Sequence, residues 1–338
     1  MIMTEKATRP AADRVVVRVP ASTANLGPGF DSLGMALSRY AWVDLAPADR
    51  TTVTLYGDNL AGVARDKTNL IYEVAQSVFA RAGADVPELA IGIRSDIPLT
   101  RGLGSSASAI VGALVAANAL IGSPLTDDDL FQMATALERH PDNVGASLFG
   151  GVVAAAWDGE RAEAVRFDPP SELRVLVAIP DFELSTKSAR GILPQSVSMP
   201  DAVFNVAHSS LLTAALAKGR LDALRHALRD KLHQPFRAPL IPGMERVLRE
   251  AADHGALGAV LSGAGPTLLV LADARADGAR LESFVHGALA EAGVQSEVRW
   301  LEPDLSGPAI RMLRAGDADF GAEPQSALPA PYIAEVRP

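Results

Sequence analysis

The chain reads Pro98-Leu99-Thr100-Arg101-Gly102-Leu103-Gly104-Ser105-Ser106-Ala107-Ser108 where a predicted strand gives way to a predicted helix. Gly102 and Gly104 can adopt backbone angles that are closed to other residues, so the chain can turn sharply between the two elements. The helix is predicted over residues 105–120, because this run of small and apolar residues is too long for one buried strand.

The amino end of this helix is predicted to bind an anion. The amide groups of a first helical turn have no partners within the helix, and the helix dipole is positive there. A triphosphate could therefore bind without a large basic patch. Ser105, Ser106 and Ala107 are small enough for the backbone to approach a ligand, and either serine hydroxyl would suit a magnesium ion.

Three interpretations of the loop compete. Small residues could simply permit tight helix packing. A Walker-type nucleotide loop fails, because no Gly-Lys-Ser or Gly-Lys-Thr follows. Residues 102–107 satisfy a relaxed dinucleotide fingerprint, but that motif needs an acidic residue at the end of a second strand roughly twenty residues later. The acidic residues 127–129 open a helix instead, so the loop alone indicates phosphate without identifying its carrier.

Around the loop, apolar periodicity divides the chain into alternating strands and helices. Strands are predicted at 15–19, 53–56, 89–93, 150–157, 173–179, 267–272 and 296–300, and helices at 69–82, 105–120, 126–139, 202–217, 220–229, 244–254 and 276–292. Gly83 ends the first helix, and Thr126 with Asp129 forms a capping-type start for the third. Pro141 disfavours helical geometry at His140, so the third helix should end near Arg139.

Length and composition predict two domains. A chain of 338 residues exceeds the usual size of a single core. The boundary is predicted in the polar, proline-bearing stretch 158–171 between two strands. The predicted parts are an amino-terminal arm at 1–14, a first domain at 15–165, a second domain at 166–315 and a mobile tail at 316–338, which is rich in Ala, Pro and Gly.

Composition also limits the function. The net charge is −9, which leaves no basic face for nucleic acid. Cysteine is absent, which excludes disulfides, a thiolate nucleophile and cysteine-based zinc sites and suits a reducing cytosol. Residues 1–13 lack the apolar core of a signal peptide, and no apolar run is long enough to cross a membrane. We therefore expect a cytoplasmic protein that binds neither membrane nor nucleic acid.

Further segments occur with the loop in an order that resembles a known enzyme family. Residues 21–31 (ASTANLGPGFD), 98–108 and 261–267 (LSGAGPT) resemble the substrate, phosphate and carboxy-terminal glycine motifs of the kinase superfamily named for galactokinase, homoserine kinase, mevalonate kinase and phosphomevalonate kinase. Residues 140–144 (HPDNV), 186–190 (TKSAR) and 230–237 (DKLHQPFR) resemble the homoserine kinases in particular. The resemblance runs from about residue 15 to residue 312.

This resemblance implies an α+β fold with a ribosomal-protein-S5-like, ATP-binding first domain and a ferredoxin-like second domain. It implies ATP and Mg²⁺ as cofactors and L-homoserine as the alcohol that accepts the γ-phosphate, which would place the reaction in threonine biosynthesis. A homodimer is a further expectation.

The resemblance also assigns roles to individual residues. Arg190 and Arg237 would bind the substrate carboxylate and Asp31 its ammonium group, because a zwitterion needs a partner for each charge. Asn25, His140, Asp142 and Asn143 would complete the pocket, and Thr186 would face it. The nucleotide phosphates would be bound by Pro98, Leu99, Thr100, Arg101, Gly102, Leu103, Gly104, Ser105, Ser106, Ala107 and Ser108, with Asn69 near the adenine. Glu138 with Ser105 or Ser106 would hold Mg²⁺.

The implied catalytic residues are Arg190, Asn143, Asp142 and Thr186. Asn143 stands where mevalonate and galactose kinases carry an aspartate base, and an amide cannot accept the hydroxyl proton. One hypothesis is catalysis by positioning and charge stabilisation, with the proton passing toward the γ-phosphate. A base at Asp142 is the alternative. Arg190 is expected to matter most for turnover, because it would contact both the substrate and the transferring phosphate.

Other functions stay open from the sequence. A relative that phosphorylates a different alcohol, such as mevalonate, is the first alternative. A catalytically inactive sensor of nucleotide and metabolite is the second, and a nicotinamide-binding protein is the third.

Overall fold

A computed structural model of the chain describes residues 11–57 and 59–328, which form two β-sheets flanked by helices. The strands are β1 (Arg14–Asn25), β2 (Gly29–Pro47), β3 (Thr52–Tyr56), β4 (Leu89–Ser95), β5 (Val152–Trp157), β6 (Ala162–Phe167), β7 (Leu173–Pro180), β8 (Gly258–Leu261), β9 (Leu268–Asp273), β10 (Ser296–Leu301) and β11 (Ala309–Leu313). The helices are α1 (Leu70–Ala82), α2 (Ser105–Leu120), α3 (Asp127–Glu138), α4 (Asp142–Phe149), α5 (Thr186–Gly191), α6 (Met199–Ala217), α7 (Leu224–Ala227), α8 (Gln234–Arg237), α9 (Met244–Glu250) and α10 (Gly278–Glu291). Short 3₁₀ turns occupy Leu221–Ala223, Ala238–Leu240, Ala251–His254 and Pro324–Ala327.

The first sheet is built from the amino-terminal half of the chain and one late strand. Its order is β11-β1-β2-β4-β3, and β5 branches from β2 and carries β6. Among the strand pairs of this sheet in the described part of the chain, only β3 and β4 are parallel, and α1 connects them. With 19 residues, β2 pairs with β1 along most of its length, with β4 through its residues 41–47 and with β5 through its residues 33–35.

The second sheet is antiparallel and has the order β10-β7-β9-β8. Helices α5 to α9 connect β7 to β8, and α10 connects β9 to β10. A strand-helix-strand-strand-helix-strand connection with this order is the ferredoxin-like arrangement. The predicted two-domain α+β fold is therefore confirmed.

Helix α2 is a core element of the first domain, and it begins and ends where the sequence predicted. From Ala107 onward every residue except Ala109 is buried. A helix that is apolar on all sides has to be surrounded by protein, and α2 packs against β1, β2, α1 and α4. These contacts hold its amino-terminal turn in place at the boundary between the domains.

One apolar cluster joins the two domains. Leu37 and Leu103 of the first domain pack in it with Val177 and Val260 of the second, and all four side chains are buried. The cleft beside this cluster is consequently bounded by both domains. Within the described residues, no helix combines the length and hydrophobicity needed to cross a bilayer.

Several segments depart from the predicted organisation, and no element was predicted for the stretches that form β2, β8, β11, α4, α5 and α8. Stretch 158–171, expected to be a polar connection, contains β6, which pairs with β5 along its length. Its side chains are mostly exposed, so the strand lacks the apolar alternation that would have revealed it. Strand β11, placed in the second domain by the predicted partition, pairs with β1 in the first sheet.

The carboxy-terminal segment also differs from the expected mobile tail. Ala327 and Leu328 are buried in an apolar cluster with Val16 and Trp42. Arg14 donates hydrogen bonds to backbone carbonyls of this segment. Residues 316–328 are thus packed on the first domain, while residues 1–10 of the predicted arm and residues 329–338 lie outside the described residues.

Candidate active site

A cavity of about 150 Å³ lies in the cleft between the domains. The predicted site residues that line it are Asn25, Asp31, Thr100, Gly102, Gly104, Ser105, Ser106, Ala107, Glu138, His140, Asp142, Asn143, Thr186, Arg190 and Arg237. These residues come from five separate segments of the chain. The fold therefore gathers most of the predicted residues into one site.

The amino end of α2 forms the side of the cavity that is predicted to bind phosphate. Gly104 is the N-cap, has φ 68°, and provides no side chain to bind the first amide groups. The first amide of this turn with a partner is that of Ser108, which donates to the Gly104 carbonyl at 2.9 Å. Residues 105–107 line the cavity, so their amides and the positive helix dipole are available to an anion.

The two loop glycines are required by close contacts. A Cβ atom on Gly104 would lie 2.1 Å from Ser22 Oγ, and one on Gly102 would lie 2.4 Å from the Ser262 carbonyl oxygen. Both residues also have positive φ. Any side chain here would therefore displace a neighbouring element and strain the backbone.

The carboxy-terminal glycine motif holds the phosphate loop from the second domain. Ser262 Oγ donates to the Gly102 carbonyl at 2.6 Å and lies 2.9 Å from Thr23 Oγ1. The amide of Gly263 donates to the Ala24 carbonyl at 3.1 Å. This motif thus links the phosphate loop to the end of β1.

Some residues of the predicted nucleotide set do not line the cavity: Pro98, Leu99, Arg101, Leu103, Ser108 and Asn69. Arg101 points toward the second domain and donates to the carbonyls of Pro180 and Asp181. Leu103 belongs to the shared core, and Ser108 donates to the Ser105 carbonyl.

Asn69 is committed to the start of α1. Its side-chain oxygen accepts from the amide of Ile71 at 2.9 Å, and its side-chain nitrogen donates to the Ala64 carbonyl at 2.7 Å. The side chain is buried. A helix N-cap accounts for both polar atoms, and the predicted proximity to adenine stays a prediction.

Acidic and hydroxyl oxygens meet where the end of α3 contacts the first turn of α2. Ser106 Oγ donates to Glu138 Oε1. Arg139 follows Glu138 as the C-cap of α3, and its left-handed backbone, with φ 65°, ends the helix before His140. The described residues contain no group of three or more His, Asp and Glu side chains that could hold a metal alone. The oxygen donors of Glu138 and Ser106 fit Mg²⁺, which usually takes only one or two protein ligands besides phosphates and water.

His140 lies between two carboxylates. Its Nδ1 is 3.0 Å from Asp142 Oδ1, and its Nε2 is 3.4 Å from Glu138 Oε2. Burial alone would lower the pKa of His140, but the hydrogen bond and charge of Asp142, with the charges of Glu138 and Asp31, raise its pKa above 6.5 overall.

Asp142 and Asn143 begin α4 beneath the phosphate loop. Asp142 is 1% exposed, and its Oδ1 accepts from the Asn143 amide at 2.7 Å as well as lying beside His140. Asn143 Oδ1 accepts from Ser22 Oγ at 3.0 Å. Asp142 is therefore occupied in fixing the local backbone, and Asn143 is oriented by β1.

On the side of the cavity that is predicted to bind the substrate, Asp31 and Arg190 form a two-pronged ion pair. Arg190 Nη1 donates to Asp31 Oδ2 at 2.9 Å, and Nη2 donates to Oδ1 at 2.7 Å. This hydrogen bond with Asp31 raises the pKa of Arg190 above its ordinary value. The sequence assigned opposite ends of one substrate to these residues, whereas the structure pairs them with each other.

Asn25 fixes the loop that carries Asp31. Its side-chain nitrogen donates to the Gly263 carbonyl at 2.9 Å, and its oxygen accepts from the Asp31 amide at 3.0 Å. Asn25 and Asp31 both have positive φ, at 70° and 54°. Asn25 thus shapes this side of the cavity, because its side chain binds backbone groups of Asp31 and Gly263.

Arg237 is the most deeply buried cation of the site, at 1% exposure. It donates to the carbonyls of Ala189 and Gly263 at 3.1 and 3.0 Å. Burial, and then the charge of Arg190, lower the pKa of Arg237 to about 10, so the side chain is charged at neutral pH.

Sequence reasoning missed two residues that shape this end of the site. Phe30 lies beside both guanidinium groups, with its ring centroid 5.6 Å from Arg190 Cζ and 5.4 Å from Arg237 Cζ. His233 stacks on Phe30 at 5.1 Å, and its Nδ1 is 3.2 Å from Arg237 Nη1. Burial lowers the pKa of His233, so it accepts from Arg237 as a neutral ring. Phe30 lies within motif 21–31 and His233 within motif 230–237, and this was the only signal in the sequence that could have identified them.

Two family models match the chain. One, for the GHMP kinases N terminal domain, covers residues 69–151, and the other, for the GHMP kinases C terminal, covers residues 212–290. The two matches fall on the first and second domains, and the first includes the phosphate loop, Glu138 and Asn143.

Relatives of similar length match over nearly the whole chain. A homoserine kinase of Deinococcus radiodurans is 45% identical over 87% of this chain and 96% of its own, and one of Moorella thermoacetica is 44% identical over 87% and 99%. Among solved structures, a homoserine kinase from Cytophaga hutchinsonii superposes with a TM-score of 0.81 at 26% identity, over 92% of this chain and all of its own.

Proposed function

Since this chain belongs to the homoserine kinases of the GHMP kinase family, we propose that its cleft transfers the γ-phosphate of ATP to the side-chain hydroxyl of L-homoserine. One observation carries the proposal: a pair of opposite charges, Asp31 and Arg190, lies in the same cavity as the uncapped amino end of α2. The products would be O-phospho-L-homoserine and ADP.

The charge pair suits a zwitterionic substrate. A substrate with an ammonium and a carboxylate group offers each partner of the ion pair a new counter-charge, so binding exchanges one pair for two. Arg237, adjacent to Arg190 across Phe30, would share the carboxylate. Mevalonate has a carboxylate but no ammonium, and would leave Asp31 without a cation. The charge pair therefore favours an amino acid over that alternative.

The nucleotide would bind with its phosphates on the amides of residues 105–107. Glu138 and Ser106, or Ser105 beside it, would hold the Mg²⁺ that neutralises phosphate charge during transfer. The predicted roles of Thr186 and Asn69 and the cytoplasmic location belong to the same proposal.

The surroundings of Asp142 support catalysis without a side-chain base. Its Oδ1 already accepts from the Asn143 amide and lies beside His140. We assign Asp142 and His140 to positioning, and Asn143 and Arg190 to contacts with the reacting groups. The hydroxyl proton would pass toward the γ-phosphate, as a loose transition state permits.

Replacing Asp142 with Asn tests the absence of a base. An amide keeps the size of the side chain and one acceptor, so turnover should fall by about tenfold or less. Steady-state kinetics with homoserine would measure kcat and KM, and thermal denaturation would check folding. Complete loss of kcat with intact folding and unchanged homoserine affinity would show that Asp142 is the base.

The function itself is tested by ADP release with homoserine, threonine, serine and mevalonate as separate acceptors. Homoserine should give the highest kcat/KM, and an Arg190→Ala variant prepared in parallel should lose most of that activity, which excludes a contaminating ATPase. Absence of ADP release with homoserine would contradict the proposal and favour the sensor alternative. An NAD-dependent thermal shift would revive the nicotinamide alternative.

A further inference from the structure

Two buried serine hydroxyls lie behind Asn143 and have no part in the reaction as proposed. Ser22 on β1 and Ser147 on α4 are both 0% exposed. Ser147 Oγ donates to Ser22 Oγ at 3.1 Å, and Ser22 Oγ donates to Asn143 Oδ1 at 3.0 Å. Ser147 follows Asn143 by one turn of α4, so both lie on the same face of that helix. We call Ser22 and Ser147 the serine pair.

Close packing holds the serine pair in place. A Cβ atom on Gly34 of β2 would lie 2.1 Å from the Asp142 carbonyl oxygen, so this glycine lets the start of α4 approach the sheet. A Cβ atom on Gly104 would likewise lie 2.1 Å from Ser22 Oγ. The serine pair is thus enclosed between β1, α4 and the phosphate loop, where a hydroxyl cannot exchange its protein partner for water.

The two neighbours of the Asn143 side chain determine how its amide is oriented. The amide oxygen accepts from Ser22, and the amide nitrogen lies 3.5 Å from Asp142 Oδ1. A reversed amide would place its oxygen beside the Asp142 carboxylate, where two acceptors repel each other. It would also turn a donor toward the Ser22 hydroxyl, which already accepts from Ser147. Both neighbours therefore favour the same orientation.

We propose that Ser22 and Ser147 are positioning residues, which fix Asn143 so that it offers a hydrogen-bond donor to the reacting groups. The amide oxygen is directed at the buried serine pair, so the amide nitrogen is what Asn143 has left for a ligand in the cavity. A donor suits the negative charge of a transferring phosphoryl group, and one that is already in place needs no reorganisation during transfer. The inference rests on the proposed function, because it concerns the same transfer.

A double-mutant cycle tests the positioning role. Ser22→Ala should lower kcat for ADP release with homoserine by ~10-fold and change KM for either substrate by less than ~2-fold, because only the orientation of the amide is lost. In an Asn143→Ala background the same replacement should change kcat by less than ~2-fold, since no amide remains to be oriented. Ser147→Ala, which acts through Ser22, should lower kcat by only ~3-fold.

The control for these variants is Ser77→Ala. Ser77 is a half-buried serine of α1 whose hydroxyl donates to the Val74 carbonyl at 2.6 Å, and it does not line the cavity. Its removal should leave kcat unchanged. A loss in Ser22→Ala that persists in the Asn143→Ala background would overturn the proposal. So would a raised KM for ATP with unchanged kcat, because that result would assign Ser22 to support of the phosphate loop.

Replacing Asn143 with Asp distinguishes a donor from an acceptor at this position. Aspartate keeps the size of the side chain and its acceptor oxygen, but it has no hydrogen to donate. We expect kcat to fall by at least ~100-fold, as for the loss of a donor that stabilises transition-state charge. An Asn143→Asp variant as active as the parent protein would show that this position accepts a hydrogen bond and would overturn the proposal.

A measurement without turnover separates this inference from the proposed function. The NMR signals of the Asn143 side-chain amide, assigned by their absence in Asn143→Ala, should shift in Ser22→Ala and stay in place in Ser77→Ala. Unshifted signals in Ser22→Ala would overturn the positioning role, whichever alcohol is the substrate. Shifted signals in a protein that releases no ADP with homoserine would contradict the proposed function and support the orientation of Asn143 by Ser22.

Discussion

Asp31 and Arg190 neutralise each other, and their side chains are about one-third exposed. An ion pair this accessible to water contributes little to stability. Separating Asp31 from Arg190 therefore requires little free energy, and each side chain can bind a new partner. At the scale of single residues, we expect substrate selectivity to depend on a ligand that offers a cation to Asp31 and an anion to Arg190 at the same time.

Replacing Asp31 with Asn should weaken homoserine binding and leave ATP binding unchanged. Losing a charge-assisted contact to the ammonium group should raise KM for homoserine about ten- to a hundredfold. The alcohol that lacks the amino group, 4-hydroxybutyrate, should show no such penalty in the variant. Steady-state kinetics with both alcohols measures the difference.

The control for this experiment is Asp222→Asn, which breaks an exposed Arg220–Asp222 pair of similar geometry. Its kinetic constants should match those of the parent protein. A KM for homoserine that Asp31→Asn does not change would mean that the ammonium group binds elsewhere.

The His140 pair with Asp142 should make stability depend on pH. The pKa of His140 is raised above 6.5 in the folded protein, so its contribution is complete below pH 6.5 and is lost as the pH rises through the folded-state pKa. The free energy of unfolding of the parent protein minus that of His140→Gln should therefore be largest in acid and shrink toward alkaline pH.

Urea denaturation across this range measures the difference. His286→Gln, on the exposed surface of α10, controls for the general effect of removing a histidine. A difference for His140→Gln that grows as the pH rises would contradict the assigned ion pair.

At the scale of elements, the amino end of α2 is the proposed anion site, and it faces the cavity while the rest of the helix is enclosed. Gly104 keeps side-chain atoms away from the first turn, and Ser22 and Asn143 lie close behind it. The surface that faces an anion would therefore consist of backbone amide groups, and the packing of the whole helix holds these groups in place.

Replacing Gly104 with Ala should damage both stability and ATP binding. The added Cβ would lie 2.1 Å from Ser22 Oγ, and its positive φ adds strain of about 1–2 kcal/mol. We expect a loss of at least ~2 kcal/mol in unfolding free energy and a KM for ATP raised by about tenfold or more.

Gly83→Ala is the matched control, because Gly83 has φ 67° at the end of α1 and no atom within 4 Å of an added Cβ. It should cost about 1 kcal/mol and leave KM for ATP unchanged. Equal kinetic effects in the two variants would mean that the loop tolerates a side chain.

At the scale of the whole molecule, the cleft depends on contacts between distant parts of the chain. Ser262 of the second domain donates a hydrogen bond to the Gly102 carbonyl of the first. After the last strand of the second domain, β11 pairs with β1 in the first sheet. The segment that follows β11 then covers Val16 and Trp42.

Replacing Leu328 with Ala tests whether this segment stabilises the fold. Leu328 is 8% exposed in the cluster with Val16 and Trp42, so truncation should lower the free energy of unfolding by about 2 kcal/mol. Leu305→Ala, at a residue 47% exposed, should change it by roughly 0.5 kcal/mol or less. Chemical denaturation of both variants measures this, and a truly mobile tail would give no effect in either.

The sequence by itself determined the elements whose signals are local. Helix α2 occupies the predicted residues, Gly83 ends α1, and Thr126 begins α3 through the predicted capping interaction. Periodicity and caps depend on residues a few positions apart, so they can be read directly from the chain. The quoted motifs added the family and most of the residues that line the cleft.

The tertiary structure alone decided the partners of the charged and polar side chains. Arg101 lies within the phosphate motif yet bonds to the end of β7, and Asp31 and Arg190, 159 positions apart, bind each other. Strand β11 and the following segment return to a sheet formed near the start of the chain. Such partners are set by packing between distant segments, and no local pattern of residues encodes that packing.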